Sequence, residues 1–251
     1  MQTAWEWLPA IYLFLGGLGA GAFLVAAVVE LTGERYKHDF CPTTLVGSTV
    51  GGPLIALGAL LLIFDLGAGK REPWRIPYML THFSSVMTWG VWILSMFIPL
   101  CFLYGFIELM ENYPAIWQGL TRRLPPLQRL PLRRIKKLAV VVGCVFAVGT
   151  AVYTGVLISA VGPAIPFWST KVLPFLPVPM LPVLFLVSAI STGMGLTIDF
   201  SATLALPEVQ RRFRNMPVIH LTLIGLEALL IGLLLYVALN AGGAAAESAR
   251  I

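Results

Sequence analysis

DLGAGKREPWRIPYMLTHFSSVMTWGVWIL, residues 65–94, joins two apolar runs through one short polar loop. Asp65 marks the exit from the first run. His82, Ser84 and Ser85, followed by Trp89 and Trp92, mark the start of the second. Polar and aromatic side chains crowded between two long apolar runs are what the boundary of a membrane looks like in sequence.

The rest of the chain agrees. Of its 251 residues 58% are hydrophobic and 12% charged, where a soluble domain carries about 25% charged residues. Six apolar runs lie at roughly 8–30, 43–65, 83–108, 139–161, 181–205 and 217–240. Each exceeds the roughly 20 residues that span a hydrocarbon core as a helix. Backbone groups in lipid must be satisfied within the segment, so the runs read as helices despite their internal Gly and Pro. The expected fold is all-α: a polytopic transmembrane bundle of six helices in a single integral membrane domain, 1–251. MQTAWEW at the N-terminus has no Lys or Arg. The apolar run after it is too long for a signal h-region, so it reads as a first span and not a cleavable leader.

Charge sets the expected orientation. Twelve of the 17 basic residues fall in 31–42, 109–138 and 206–216, which places those loops inside and both termini outside. The net charge of +5 therefore belongs to one membrane face and does not indicate nucleic acid. The basic, proline-bearing stretch 109–138 reads as a surface loop that holds topology and touches anionic lipid. The apolar, Pro-rich loop 162–180, with Phe167, Trp168, Phe175 and Leu176, reads as interfacial or as a protein-docking surface. The tail from Asn240 on is expected to fray.

GGLGAG at 16–21 has no strand before it and lies inside an apolar run. It reads as helix packing: Gly17 and Gly21 are four apart and permit close approach. Cys41, Cys101 and Cys144 are far apart. They offer neither an iron–sulfur pattern nor a disulfide framework. His82 and His220 fall at opposite faces and His38 in a loop, so no bis-histidine haem site is expected. No metal ligands are assigned.

Ionisable groups in lipid are costly and default to function. Glu30, Asp65 and Glu108 sit at run ends, where they reach headgroups, and Glu108 reads as an interfacial cap. Glu227 is about 14 Å into the last run, near mid-membrane. His220, seven residues earlier, shares its face. With Asp199 they form a candidate ladder for protons. The alternative is a protonated Glu227 bonding a neighbouring helix.

A second group gathers in the outside half. Tyr12 lies about 6 Å in, Trp89 about 9 Å in, and Tyr153 about 9 Å below the same surface. Asp65 and His82 lie at the top of that layer, with Ser85 beside them. A histidine titrates near neutral pH, and an adjacent carboxylate orients and stabilises its imidazolium. Such a pair suits proton exchange with a quinone. His82 and Asp65 are therefore the expected catalytic pair, and Tyr153, Tyr12, Ser85 and Trp89 the expected quinone-binding residues.

The chain resembles the NrfD/PsrC family, membrane subunits of polysulfide reductase and related respiratory complexes. The resemblance runs through Trp7-Leu8 and YLFLGGLGAGAFL (12–24), Asp65-Leu66-Gly67 with Pro73-Trp74-Arg75, and SVMTWGVWIL (85–94). It continues through YTGVLIS (153–159), PFWST (166–170), LPVLFLVSAISTG (181–193) and HLTLIGLEALLIGLLLY (220–236). It implies a quinone-reactive subunit of the bacterial or archaeal cytoplasmic membrane, without haem or iron–sulfur cluster of its own. The quinone would be menaquinone or ubiquinone. The implied partners are a ferredoxin-like iron–sulfur subunit and a molybdopterin catalytic subunit, and the implied quinone site lies near the outside face among the first four helices. The competing readings are a small-solute or proton-coupled transporter, for which no internal repeat is visible, and a purely structural anchor.

The orientation is directly testable. Cysteines engineered within 114–130 should resist a membrane-impermeant thiol reagent in intact cells and react after permeabilisation. Labelling in intact cells reverses the topology.

Overall fold

The computed structural model describes residues 7–32, 41–65, 77, 80–123, 130–160, 166–171, 179–204, 216–241 and 243–249. The described residues form eight helices: α1 (Trp7–Leu31), α2 (Cys41–Asp65), α3 (Val86–Asn112), α4 (Pro114–Arg123), α5 (Leu132–Ala160), α6 (Leu181–Leu204), α7 (Met216–Ala241) and α8 (Gly243–Ala249), with a 3-10 turn at Pro166–Ser169. Six of them, all but α4 and α8, are long and apolar enough to cross a membrane. The all-α, six-span expectation therefore holds.

Three boundaries differ from the sequence reading. α5 begins at Leu132, not at 139, so Arg133, Arg134, Lys136 and Lys137 lie on its first two turns. Hydropathy marks only the part of a helix that lies in lipid, and charged residues continue the same helix beyond it. Part of the expected loop 109–138 is likewise the short amphipathic helix α4. Its Trp117, Leu120 and Thr121 are the better-buried side, and its remaining described side chains are exposed. The tail is not frayed over 243–249: α8 docks on the 3-10 turn, where the Phe167 N–H donates to Ser248 Oγ at 3.1 Å. At α3, residues 83–85 form a turn and the helix starts at Val86.

α1 is the hub, packed against α2, α5 and α6. Lipid supplies no hydrophobic drive between helices, so association rests on close packing. The closest approach is to α6. A Cβ on Gly21 would fall on the Ala189 carbonyl, and one on Gly193 would fall on the Gly21–Ala22 backbone. Gly17 faces the same helix, with Ala189 Cβ 3.8 Å from where its own Cβ would be. The packing reading of 16–21 therefore stands. On the other flank, Phe23 fills the bundle centre, edge-on to Phe97 (5.2 Å) and Tyr104 (5.5 Å) of α3. α7 is peripheral and packs chiefly on α6; only 6% of its apolar window is buried.

This packing predicts an asymmetry among glycines. Gly21→Val should destabilise the protein by about 1–3 kcal/mol or more, through overpacking against fixed backbone. Gly225→Val on α7, where nothing lies within 4 Å, should change stability by less than about 0.5 kcal/mol. Thermal unfolding in detergent separates the two.

Candidate functional site

At one end of the bundle the segment 80–85 folds onto the start of α3. The Ser85 N–H donates to the His82 carbonyl at 2.9 Å, and the Thr88 N–H to the Ser85 carbonyl at 3.1 Å. Two indoles pin this turn. Trp89 Nε1 donates to the Phe83 carbonyl (3.0 Å) and Trp92 Nε1 to the Leu80 carbonyl (3.1 Å). The Phe83 ring lies edge-on to Trp89 and stacked on Trp92. His82 is exposed, with Nδ1 3.2 Å from Thr81 Oγ1. Ser85 is the N-cap residue of α3, but its hydroxyl makes no capping bond. Asp65 ends α2; its side chain lies outside the described residues, and so does the expected Asp65–His82 pairing.

One turn deeper, Tyr12 of α1 and Tyr153 of α5 lie beside one another. They are 2% and 5% exposed. Tyr12 lies about 8 Å from the start of α1 and Tyr153 about 10 Å from the end of α5, so they occupy one layer. α3 admits the second phenol because residue 90 is glycine: a Cβ there would coincide with Tyr153 Cζ and Oη. α2 contributes Gly58, whose Cβ would stand 3.6 Å from Tyr12 Cδ2. The two tyrosines therefore sit where α1, α2, α3 and α5 meet. Trp89, adjacent to Gly90, is 56% exposed and engaged with Phe83. On the opposite flank of α1, at the depth of Leu13, a cavity of about 440 Å³ opens towards α5 and α6. Its lining includes Leu13, Phe14, Gly17, Phe185, Ser188 and Thr192.

The expected proton ladder is less tightly built. His220 lies against α6, its Cε1 3.0 Å from where a Cβ on Gly195 would be. Glu227 is partly buried two turns along the same face of α7, and Asp199 is exposed near the end of α6. Among the described residues no hydrogen bond or ion pair joins these three.

The opposite end holds a cluster that the sequence reading missed. Lys136 of α5, 1% exposed, forms ion pairs with Glu108 (buried, 0%), with Glu111 at 2.7 Å and with Glu30 at 3.2 Å. Glu108 Oε1 also accepts from Thr44 Oγ1 of α2 (3.0 Å) and Asn112 Nδ2 (3.3 Å). The Lys136 ammonium stands 5.6 Å from the Tyr104 ring centroid, in cation–π range. Glu108 is thus not an interfacial cap reaching for headgroups, and Lys136 is not a loop residue. Periodicity carried the missing signal. Phe97, Cys101, Tyr104 and Glu108 continue one buried stripe of α3, and Lys136, Ala139, Val140 and Gly143 one stripe of α5. Residues three and four apart share a helix face, whatever their charge.

Six apolar helices, a buried ionic cluster at one end and a tyrosine layer at the other define a multi-pass membrane protein. The family model described as polysulphide reductase, NrfD matches residues 1–250, and the protein belongs to that family. It is 34% identical to the C subunit of polysulfide reductase from Wolinella succinogenes, over 77% of this chain and 56% of that protein. It is 32% identical to protein NrfD of Escherichia coli K12, over 78% of this chain and 59% of that protein. A NrfD homolog of Haemophilus influenzae is 28% identical over 78% of this chain and 58% of its own length. The match thus covers less than two thirds of the length of each of these relatives. No solved structure matches it.

The ionic cluster yields a stability prediction. Lys136→Met leaves Glu108 buried without its cation and should cost about 3–5 kcal/mol, whereas Lys136→Met with Glu108→Leu should recover most of the loss. Melting temperatures in detergent measure both. A wild-type value for the single variant would mean that water reaches the site.

Proposed function

We propose that this protein is the quinone-reactive membrane subunit of a respiratory oxidoreductase complex. It exchanges electrons between the membrane quinone pool and an iron–sulfur subunit bound at the His82 face. That partner connects in turn to a catalytic subunit, of the molybdopterin type implied by the family resemblance.

The observation that carries the proposal is the tyrosine layer. Two neighbouring phenols are buried about 8–10 Å below the His82 face, among four helices. A phenol can donate to a quinone carbonyl or accept from a quinol hydroxyl, so the residues present suit the ring. At that depth a ring has its polar edge near the aqueous face and its isoprenoid chain in hydrocarbon. Quinol oxidation releases two protons and two electrons, and quinone reduction takes up the same. Tyr12 and Tyr153 hold the oxygen-bearing edge. His82, one layer nearer the surface and solvent-exposed, accepts or returns protons, with Asp65 stabilising its charged form. The electrons pass to the partner's cluster at the same face, which keeps the transfer distance short.

The test uses the assembled complex. His82→Ala and Asp65→Asn should each cut quinol-dependent turnover about 10²-fold, the scale of a lost acid–base group. Tyr153→Phe should raise KM for quinol. Subunit composition and activity with an artificial donor to the partner subunits should stay unchanged. Near-normal quinol turnover in all three variants would overturn the site.

A further inference from the structure

Where α5 begins, Pro131, Leu132, Arg133, Arg134 and Lys137 line a shallow depression of about 410 Å³. Arg133, Arg134 and Lys137 are exposed. Their spacing over one helical turn aims the three cations at a common region. Lys136, between them in sequence, is buried and committed to Glu108, so it does not share this surface. The first-turn amides are also engaged: the Arg134 and Ile135 N–H groups both donate to the Pro131 carbonyl, at 2.9 and 3.1 Å. Those two amides are therefore not offered to an anion.

Directly below the cations the surface turns apolar. Leu138, Val141 and Val145 are 66%, 46% and 69% exposed and follow one another at spacings of three and four, a single stripe down α5. The change from Lys137 to Leu138 puts the hydrocarbon boundary within one turn of the basic groups. The amphipathic helix α4, just before it in sequence, belongs to the same end of the bundle, as does the end of α3.

We infer that this depression binds the headgroup of an anionic phospholipid, with the acyl chains lying along Leu138, Val141 and Val145. The charge and the apolar stripe select the two halves of one molecule. Guanidinium groups bond phosphate oxygens in a bidentate manner, and the stripe begins where the glycerol would lie. A zwitterionic lipid has the same chains but lacks the net charge. A free phosphate has the charge but gains nothing from the stripe. Each basic residue at a membrane surface favours anionic lipid about fivefold, so two cations account for about 25-fold.

The purified protein, stripped of lipid in detergent and offered equal phosphatidylglycerol and phosphatidylcholine, tests this by native mass spectrometry. The wild type should retain phosphatidylglycerol preferentially. Arg134→Gln with Lys137→Gln should lower that preference about 25-fold, and Arg122→Gln on α4 should leave it unchanged. Inorganic phosphate should fail to displace the lipid. A wild-type preference in the double variant overturns the site. So does an equal loss in Arg122→Gln, which would make the preference a general property of the basic end. Displacement by phosphate would mean a free-anion site instead.

Discussion

One ammonium group joins the ends of three helices. Lys136 reaches from α5 to Glu108 and Glu111 of α3 and to Glu30 of α1, and Glu108 in turn holds Thr44 of α2. A buried ion pair adds little net stability over an apolar pair of the same shape, because desolvation consumes most of the Coulomb gain. Its effect is on register. Hydrophobic matching between helices in lipid is nearly indifferent to sliding, whereas a buried carboxylate and its cation tolerate very little. With four helices registered at one end, the aromatic layers beyond them are registered too. Phe23 meets Phe97 and Tyr104 in the middle, and Tyr12 meets Tyr153 farther along.

The bundle consequently has two ends of different character. Along α3, Gly90 and Glu108 are 18 residues apart, about 27 Å. The ionic end is closed by charge and by hydrogen bonds to buried side chains. At the aromatic end, the turn before α3 is held by indole-to-carbonyl bonds and ring contacts among exposed residues, with the tyrosine pair beneath. The quinone site proposed above, which would admit and release a ring from the membrane, belongs at an end held by such contacts. The rigid ionic end supplies the fixed frame against which that site is positioned.

Much of this was legible in the residues. Six runs of adequate length fixed the number of spans, and small residues at 16–21 announced a close helix contact, which the structure makes with α6. The tyrosine layer was legible as depth: Tyr12 and Tyr153 count to the same level from opposite ends of their helices. Three things were hidden for a common reason. Hydropathy reports what faces lipid and is silent on what faces protein or water. The first turns of α5, all of α4 and the tail helix α8 are too polar or too short to register as spans. Glu108 and Lys136 looked like boundary residues because each is charged near the end of an apolar run. Only their place on the buried stripes shows that they face one another.

α7 shows the same limit in reverse. It is apolar nearly all round, so its sequence gives no amphipathic stripe to orient it. What orients it is the rare polar side chain. The less exposed positions include His220, Leu223, Glu227, Leu230, Leu234 and Ala238, spaced three or four apart, and His220 lies against α6, on which α7 chiefly packs. Leu221, Leu229 and Tyr236 on the remaining surface are 62–69% exposed. Turning the helix by half a turn would exchange leucines for leucines at almost no cost. It would also bring Glu227 and His220 out into hydrocarbon at a cost of several kcal/mol. On a helix that is otherwise uniform, two polar residues on one face are enough to choose which side meets protein.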